Sequence, residues 1–149
     1  MYRNIIVVKN VFCLEQSLGG KYVFVGGNTF ANNHSSRGSA IVGCYQYDNA
    51  CQEIATLIMP ESNSTVVTVM KRSPDYPSHL ILGCLKCIMI IDFDAASRSF
   101  IKLACVPHVH SNIVADIVVS CRSILSVGKG DSHISMLKYS FQKETSAPT

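Results

Sequence analysis

A chain of 149 residues, 48% hydrophobic and only 15% charged, is one domain's worth of sequence and can bury about two-thirds of its unfolded surface. Its net charge of +3 comes from scattered Lys and Arg, with Lys71-Arg72 the only adjacent pair, so no basic footprint for nucleic acid stands out. The charge content is well below the roughly 25% usual for globular chains, which implies surface covered by other protein or by further sequence.

The opening apolar run, Ile5–Val8, is too short for a secretion signal or a membrane span, so no membrane partner is expected. Seven cysteines, an odd number, fit a reducing intracellular setting with buried free thiols.

In chain order, Ile5–Val8 reads as a short apolar strand and Val11–Glu15 as another, followed by turn chemistry in Ser17-Leu18-Gly19-Gly20. Tyr22–Val25 is the next strand, closed by Gly26-Gly27. The polar stretch Asn28–Ser36 is a long loop, and Ala40–Tyr47 follows as a strand. Glu53–Met59 is the only stretch that fits a short helix, which Pro60 would end. Thr65–Met70 is rich in β-branched residues, and Ser73–Ser78, with Pro74 and Pro77, is the clearest loop. Leu80–Leu82, Ile88–Phe93, Phe100–Cys105 and Ile113–Val119 are successive strands, and Ile124–Val127 with Ile134–Phe141 makes a closing hairpin around Gly128-Lys129-Gly130-Asp131. The polar tail 143–149 stands apart from residues 1–142.

A pattern of apolar run, small residue, turn and second apolar run closing on an aromatic occurs at His79–Phe93 and Ser123–Tyr139, and more loosely at Tyr22–Tyr47. The apolar residues Ile41, Ile88 and Ile134 mark it at about 46 residues, the length of a propeller blade. About a dozen short strands at this period predict an all-β chain: a β-propeller segment (WD40-like) of about three four-stranded blades. Propellers close with roughly four to eight blades. Three would leave apolar sheet faces and strand edges open, so either the chain is a piece of a larger propeller or it assembles with another chain.

The same residues resemble a known family. Tyr22-Val23-Phe24-Val25-Gly26 is followed by Arg37-Gly38, Ile41-Val42 and Gln46-Tyr47. Leu80-Ile81-Leu82-Gly83 leads to Ile90-Ile91-Asp92-Phe93. Asn112-Ile113, then Ile124-Leu125 with Gly128, precede Ile134-Ser135-Met136-Leu137-Lys138-Tyr139. In order and spacing this series is similar to the large-propeller family. That family comprises the damaged-DNA-binding ubiquitin-ligase adaptor, the largest subunit of the cleavage and polyadenylation specificity factor, and the propeller subunit of splicing factor three-b. The resemblance covers Lys21–Tyr139. It implies a non-enzymatic scaffold in a nuclear multi-subunit complex, in pre-mRNA splicing or 3′-end cleavage and polyadenylation, with ubiquitin-ligase adaptor or DNA-damage recognition as the alternative.

Candidate chemistry is sparse. Cys84 and Cys87, with His108 and His110, carry the ligand types of a tetrahedral zinc site and make a small zinc-binding module the reading from another class. The His-x-His spacing is tighter than usual, and the cysteines flank a hairpin turn, so buried or turn roles are favoured and no cofactor is expected. Gly128-Lys129-Gly130-Asp131-Ser132 lacks the spacing of a phosphate loop and reads as a turn. Asp92 and Asp94 share a strand face but end the strand, where acids face water or cap turns. Arg37, Lys71, Arg72 and Arg98 fall in expected loops as candidates for weak RNA or DNA contact, and Tyr76 in the Pro74–Pro77 loop as an anchor for a protein partner.

Overall fold

The structure is a computed structural model that describes residues 9–29, 38–47, 52–59, 65–120 and 122–140. Among these residues all helical or sheet structure is strand, arranged in three antiparallel sheets. The first holds β1 (Lys9–Gln16), β2 (Tyr22–Thr29), β3 (Ala40–Gln46) and β4 (Gln52–Ile58), in that order. The second holds β5 (Val67–Arg72), β6 (His79–Cys84), β7 (Ile88–Asp94) and β8 (Ser99–Val106). The third holds β9 (Val114–Ser120), β10 (Ser123–Gly128) and β11 (Ile134–Lys138). These are the expected blades, each an up-and-down meander in chain order. Ile5–Val8 and the tail 143–149 lie outside the described residues.

Two local expectations change. Glu53–Met59 is not a helix: Gln52–Ile58 pairs with β3 from Gln46↔Gln52 to Ile41↔Ile58, and its alternating β-branched Ile54, Thr56 and Ile58 suit an extended chain. Lys71 and Arg72 are the last two residues of β5 rather than loop residues, paired with Ile81 and Leu80.

The sheets pack face to face through two apolar cores. Phe24, Val42 and Cys44 of the first sheet meet Leu80, Leu82, Met89, Ile91 and Phe93 of the second. Ile81, Ile88 and Ile90, on the opposite face of the second sheet, meet Val114, Ile117 and Ile124 of the third. The middle sheet is therefore apolar on both faces, and the β6 sequence His79-Leu80-Ile81-Leu82-Gly83-Cys84 is buried throughout.

The register refines the repeat. Gly26 pairs with Val42, Gly83 with Ile88 and Val127 with Ile134, so the equivalent residues are Val42, Ile88 and Ile134. Val42, not Ile41, belongs to the core shared with the second sheet. Their period is an even 46 residues. A one-residue shift along a strand moves a side chain to the other face, which is why spacing alone selected Ile41.

Close approach between sheets depends on two of these positions. A Cβ on Gly26 would lie 3.0 Å from Val67 Cγ1 of the next sheet, and one on Gly83 would lie 2.8 Å from Val114 Cγ1. Val67 and Val114 are themselves equivalent, paired with Cys84 and Gly128. Side chains cross the same gaps: the Cys13 thiol donates to Val67 O at 3.9 Å and the Thr68 hydroxyl to Val114 O at 2.5 Å.

Candidate functional site

The polar side chains that converge belong to the third sheet and its loops. His110, in the β8–β9 connection, points one ring nitrogen at Ser126 on β10 (Nε2 to Oγ, 2.8 Å) and the other at Asp131 in the β10–β11 turn (Nδ1 to Oδ2, 2.6 Å). Asp131 also accepts hydrogen bonds from the Ser111 hydroxyl and backbone. The Ser111 hydroxyl, followed by His110, holds the Asp131 carboxyl below its ordinary range. Gly128 makes the packing possible, since a Cβ there would lie 2.7 Å from the His110 ring.

The connectivity Ser–His–Asp is that of an acyl-transfer triad. Its surroundings differ. Ser126 is 2% exposed and His110 4%, so the hydroxyl that would attack a substrate is enclosed in the sheet packing. What this geometry does is fasten the connection from the second sheet to two places on the third, with both nitrogens of the buried imidazole satisfied.

A second network joins the same sheets on the far side. The His79 Nδ1 and the Tyr139 hydroxyl share a hydrogen bond, and the His79 ring stacks on Tyr76 with centroids 5.0 Å apart and planes at 25°. Tyr76 meets the Tyr139 ring edge-on at 5.6 Å. The Asp92 carboxylate lies 4.0 Å from His79 Nε2. Burial lowers the His79 pKa against the opposing pull of Asp92, and burial pushes the Tyr139 phenol up to about 12.

The expected site residues are dispersed. Cys84 and Cys87 lie in the core between the first and second sheets, whereas His110 is engaged in the third and His108 is exposed at a φ of 56°. The zinc set is therefore not assembled. Chain spacing does not reveal which face of a sheet each residue takes.

Among the described residues the one group close enough to share an ion is His110, Asp131 and His133, with ligand atoms within 4.8 Å of one another. It is poorly shaped for a cation, because both nitrogens of His110 are bonded. Its ring also stacks on His133 at 5.4 Å and 23°, so the in-plane lone pairs run parallel rather than converge.

Tyr76 is not an exposed anchor but a half-buried member of the aromatic cluster. Arg72 is tied down as well: its backbone N–H donates to Glu15 and its guanidinium to Gln16 O at 2.9 Å, linking the second sheet to the first. Lys71 is exposed on β5. Arg98 is exposed at a φ of 52° in the β7–β8 turn, where Asp94 accepts from Ala96 N and the Ser97 hydroxyl. Asp94 is thus a turn cap and Asp92 a neighbour of His79. Arg37 lies outside the described residues.

Sequence reading missed Ser126, Asp131 and Tyr139. The available signal was the polar Ser126 inside an apolar run, at a position facing the core.

No protein-family profile matches the chain, and no curated protein does. Among solved structures it is similar to a chain of the mitotic checkpoint complex, with 13% identity and a TM-score of 0.56, covering 86% of this chain and 50% of that one. It is also similar to Sqt1 from Chaetomium thermophilum, with 12% identity and a TM-score of 0.48, covering 87% and 43%. The chain thus spans about half the length of the first of these. With two four-stranded meanders and a three-stranded one stacked among the described residues, its fold is a segment of a WD40-type β-propeller.

Proposed function

We propose that this chain is a non-enzymatic protein–protein scaffold, completed and flanked by other subunits in a nuclear pre-mRNA-processing complex. The observation that carries this reading is the pair of apolar surfaces at its two ends. On the third sheet Leu125 pairs with both Val118 and Met136, and Val127 with Ile134, so these five residues share the face turned away from the second sheet. Ile134 is 68% and Met136 62% exposed, and a groove of about 250 Å³ runs between Val118, Leu125, Val127 and Ile134. On the first sheet Val11, Phe12 and Leu14 are exposed in a row, Leu14 at 63%. Contiguous apolar surface of this kind marks protein interaction sites. Among the described residues β11 also has no strand on its outer edge, which leaves backbone groups open to a partner strand.

The placement in pre-mRNA splicing or 3′-end processing is supported by the ordered motifs from Tyr22 to Tyr139, in which the chain resembles the large-propeller family. A ubiquitin-ligase adaptor is the second reading. It is favoured by the resemblance of Gln46-Tyr47 with Gln52 to that adaptor, and Tyr47, just past β3, is 73% exposed. Of the candidates for nucleic acid contact, Lys71 and Arg98 are exposed.

The test combines solution mass with affinity capture from nuclear extract. The expected result is a polydisperse mass for the chain alone and a defined complex containing splicing or polyadenylation subunits. Recovery of a cullin would move the assignment to the adaptor. A stable, soluble monomer that captures nothing would overturn the scaffold.

A further inference from the structure

The five described cysteines, Cys13, Cys44, Cys84, Cys87 and Cys105, all lie in or against the core between the first and second sheets. They are not chemically alike. Burial pushes the Cys13 thiol up to about 11 and Cys44 to about 12, which leaves both as inert apolar packing. Cys87 differs in its neighbours: its sulfur makes side-chain hydrogen bonds with the Cys84 and Cys105 thiols, and the Lys102 ammonium acts on it electrostatically.

The backbone fixes which of the two neighbours can be bridged. Cys84 and Cys87 close the β6–β7 hairpin, joined by Cys84 N–H to Cys87 O at 3.0 Å, across the two-residue turn Leu85-Lys86 with Lys86 at a φ of 65°. Facing residues of an antiparallel pair have Cα atoms about 4.5–5.5 Å apart, inside the span a disulfide bridges. Cys105 is paired with Met89, two residues along from Cys87. Such diagonal neighbours are about 7–8 Å apart, at or beyond the limit.

We propose that Cys84 and Cys87 are a peroxide-responsive dithiol, with Cys87 the attacking sulfur, Cys84 the resolving thiol, and Cys105 and Lys102 its positioning and charge-stabilising neighbours. The chemistry balances with hydrogen peroxide as the oxidant. The Cys87 thiolate attacks one peroxide oxygen, an S–O bond forms, the O–O bond breaks, and the departing hydroxide takes a proton to become water. The sulfur, oxidised by two electrons, is then a sulfenic acid. The Cys84 sulfur attacks it, the S–S bond forms, the S–O bond breaks, and hydroxide leaves with the Cys84 proton as a second water. Cys87 is only 3% exposed, which limits the reaction to an oxidant of about this size.

The hydrogen bond from Cys84, then that from Cys105 and the charge of Lys102, bring the Cys87 thiol down to about 7 against its burial. A thiol at about 7 is half ionised at neutral pH. Allowing for the weaker nucleophilicity of the more acidic thiolate, it reacts about sixfold faster there than a thiol at about 9.

The test treats the full chain with hydrogen peroxide, blocks remaining thiols, and maps the products by mass spectrometry. Lys86 lies between the two cysteines, so tryptic cleavage leaves two peptides held together by the new bond. The expected result is a Cys84–Cys87 disulfide as the first product, forming at a rate that rises through about pH 7. Cys84→Ser should leave a sulfenic acid on Cys87, trapped by dimedone, and Cys87→Ser should abolish the bond. Lys102→Gln, on an exposed side chain, should shift the rate profile to higher pH without unfolding the protein. A first disulfide through any other cysteine would overturn the proposal, as would over-oxidation without a bond, or a rate that rises only near pH 9.

Discussion

At the scale of the residue, the buried imidazoles and phenol tie the second and third sheets together at two points beside their apolar core. His110 offers two hydrogen bonds that no other side chain at that place reproduces, to Ser126 and Asp131. Replacing it with Ala leaves a cavity and two partners without their bonds. We expect His110→Ala to cost roughly 2–4 kcal/mol, and Ser126→Ala, which strands only one ring nitrogen, about 1–2 kcal/mol, both measured by urea unfolding. A loss below 0.5 kcal/mol, the order expected of a surface change, would contradict the fastening role.

The titration of buried thiols and phenol gives a second residue-scale expectation. Cys13, Cys44 and Tyr139 have folded pKa values raised to about 11, 12 and 12, from 9.0 for the thiols and 10.0 for the phenol. Each is neutral when protonated, and the fold favours that form. Their contribution is therefore complete below about pH 9 and is lost as the pH rises through 11 to 12. Cys87 acts in the opposite sense, adding stability between about pH 7 and 9. Unfolding midpoints should hold or rise slightly from pH 7 to 9 and then fall steeply. A steady rise to pH 11 would show that these groups are not buried as described.

At the scale of the element, most of the fold was legible because turn residues punctuate it. Gly19-Gly20, the Pro74–Pro77 loop and Gly128–Asp131 each separate strands where they were expected. What could not be read was set by pairing partners. β2 runs on through Gly26 and Gly27 to Thr29, because β1 and β3 pair with it on both sides and outweigh the weak strand preference of glycine. Lys71 and Arg72 belong to β5 because they pair with Ile81 and Leu80 of β6. The site was less legible than the fold: Cys84, Cys87, His108 and His110 carry the side chains of a zinc site, yet sheet parity and turn geometry separate them. Ser126 and Asp131, which do meet His110, lie 16 and 21 residues beyond it.

Gly83 tests the inter-sheet approach. A Cβ there would come within 2.4 Å of Val69 Cγ1 and 2.8 Å of Val114 Cγ1. Gly83→Ala should cost about 1–3 kcal/mol through overpacking, and adding Val114→Ala should restore part of it in a double-mutant cycle. Purely additive losses would mean that the two positions do not press on each other.

At the scale of the whole molecule, three sheets form an open arc with exposed apolar side chains at both ends. Ile134 and Met136 face away from every described core, so Ile134→Lys with Met136→Lys should leave thermal unfolding nearly unchanged while raising solubility. The same pair should abolish capture of a partner that lies on this face. Unchanged capture would place the partner elsewhere, on the first sheet or the β11 edge.

An arc with two unlike ends is an invitation to stack copy upon copy without limit, since such contacts do not close by themselves. Val127 works against that outcome. Where the first and second sheets offer the following valine a bare glycine backbone, the third offers two methyl groups. The strand that another copy would bring there carries Val11, the counterpart of Val67 and Val114, and valine cannot nest on valine at that separation. The far end of this molecule is therefore keyed against its own kind, and the polypeptide that covers it must arrive with a small residue opposite Val127 or lie farther out than any blade does within the chain.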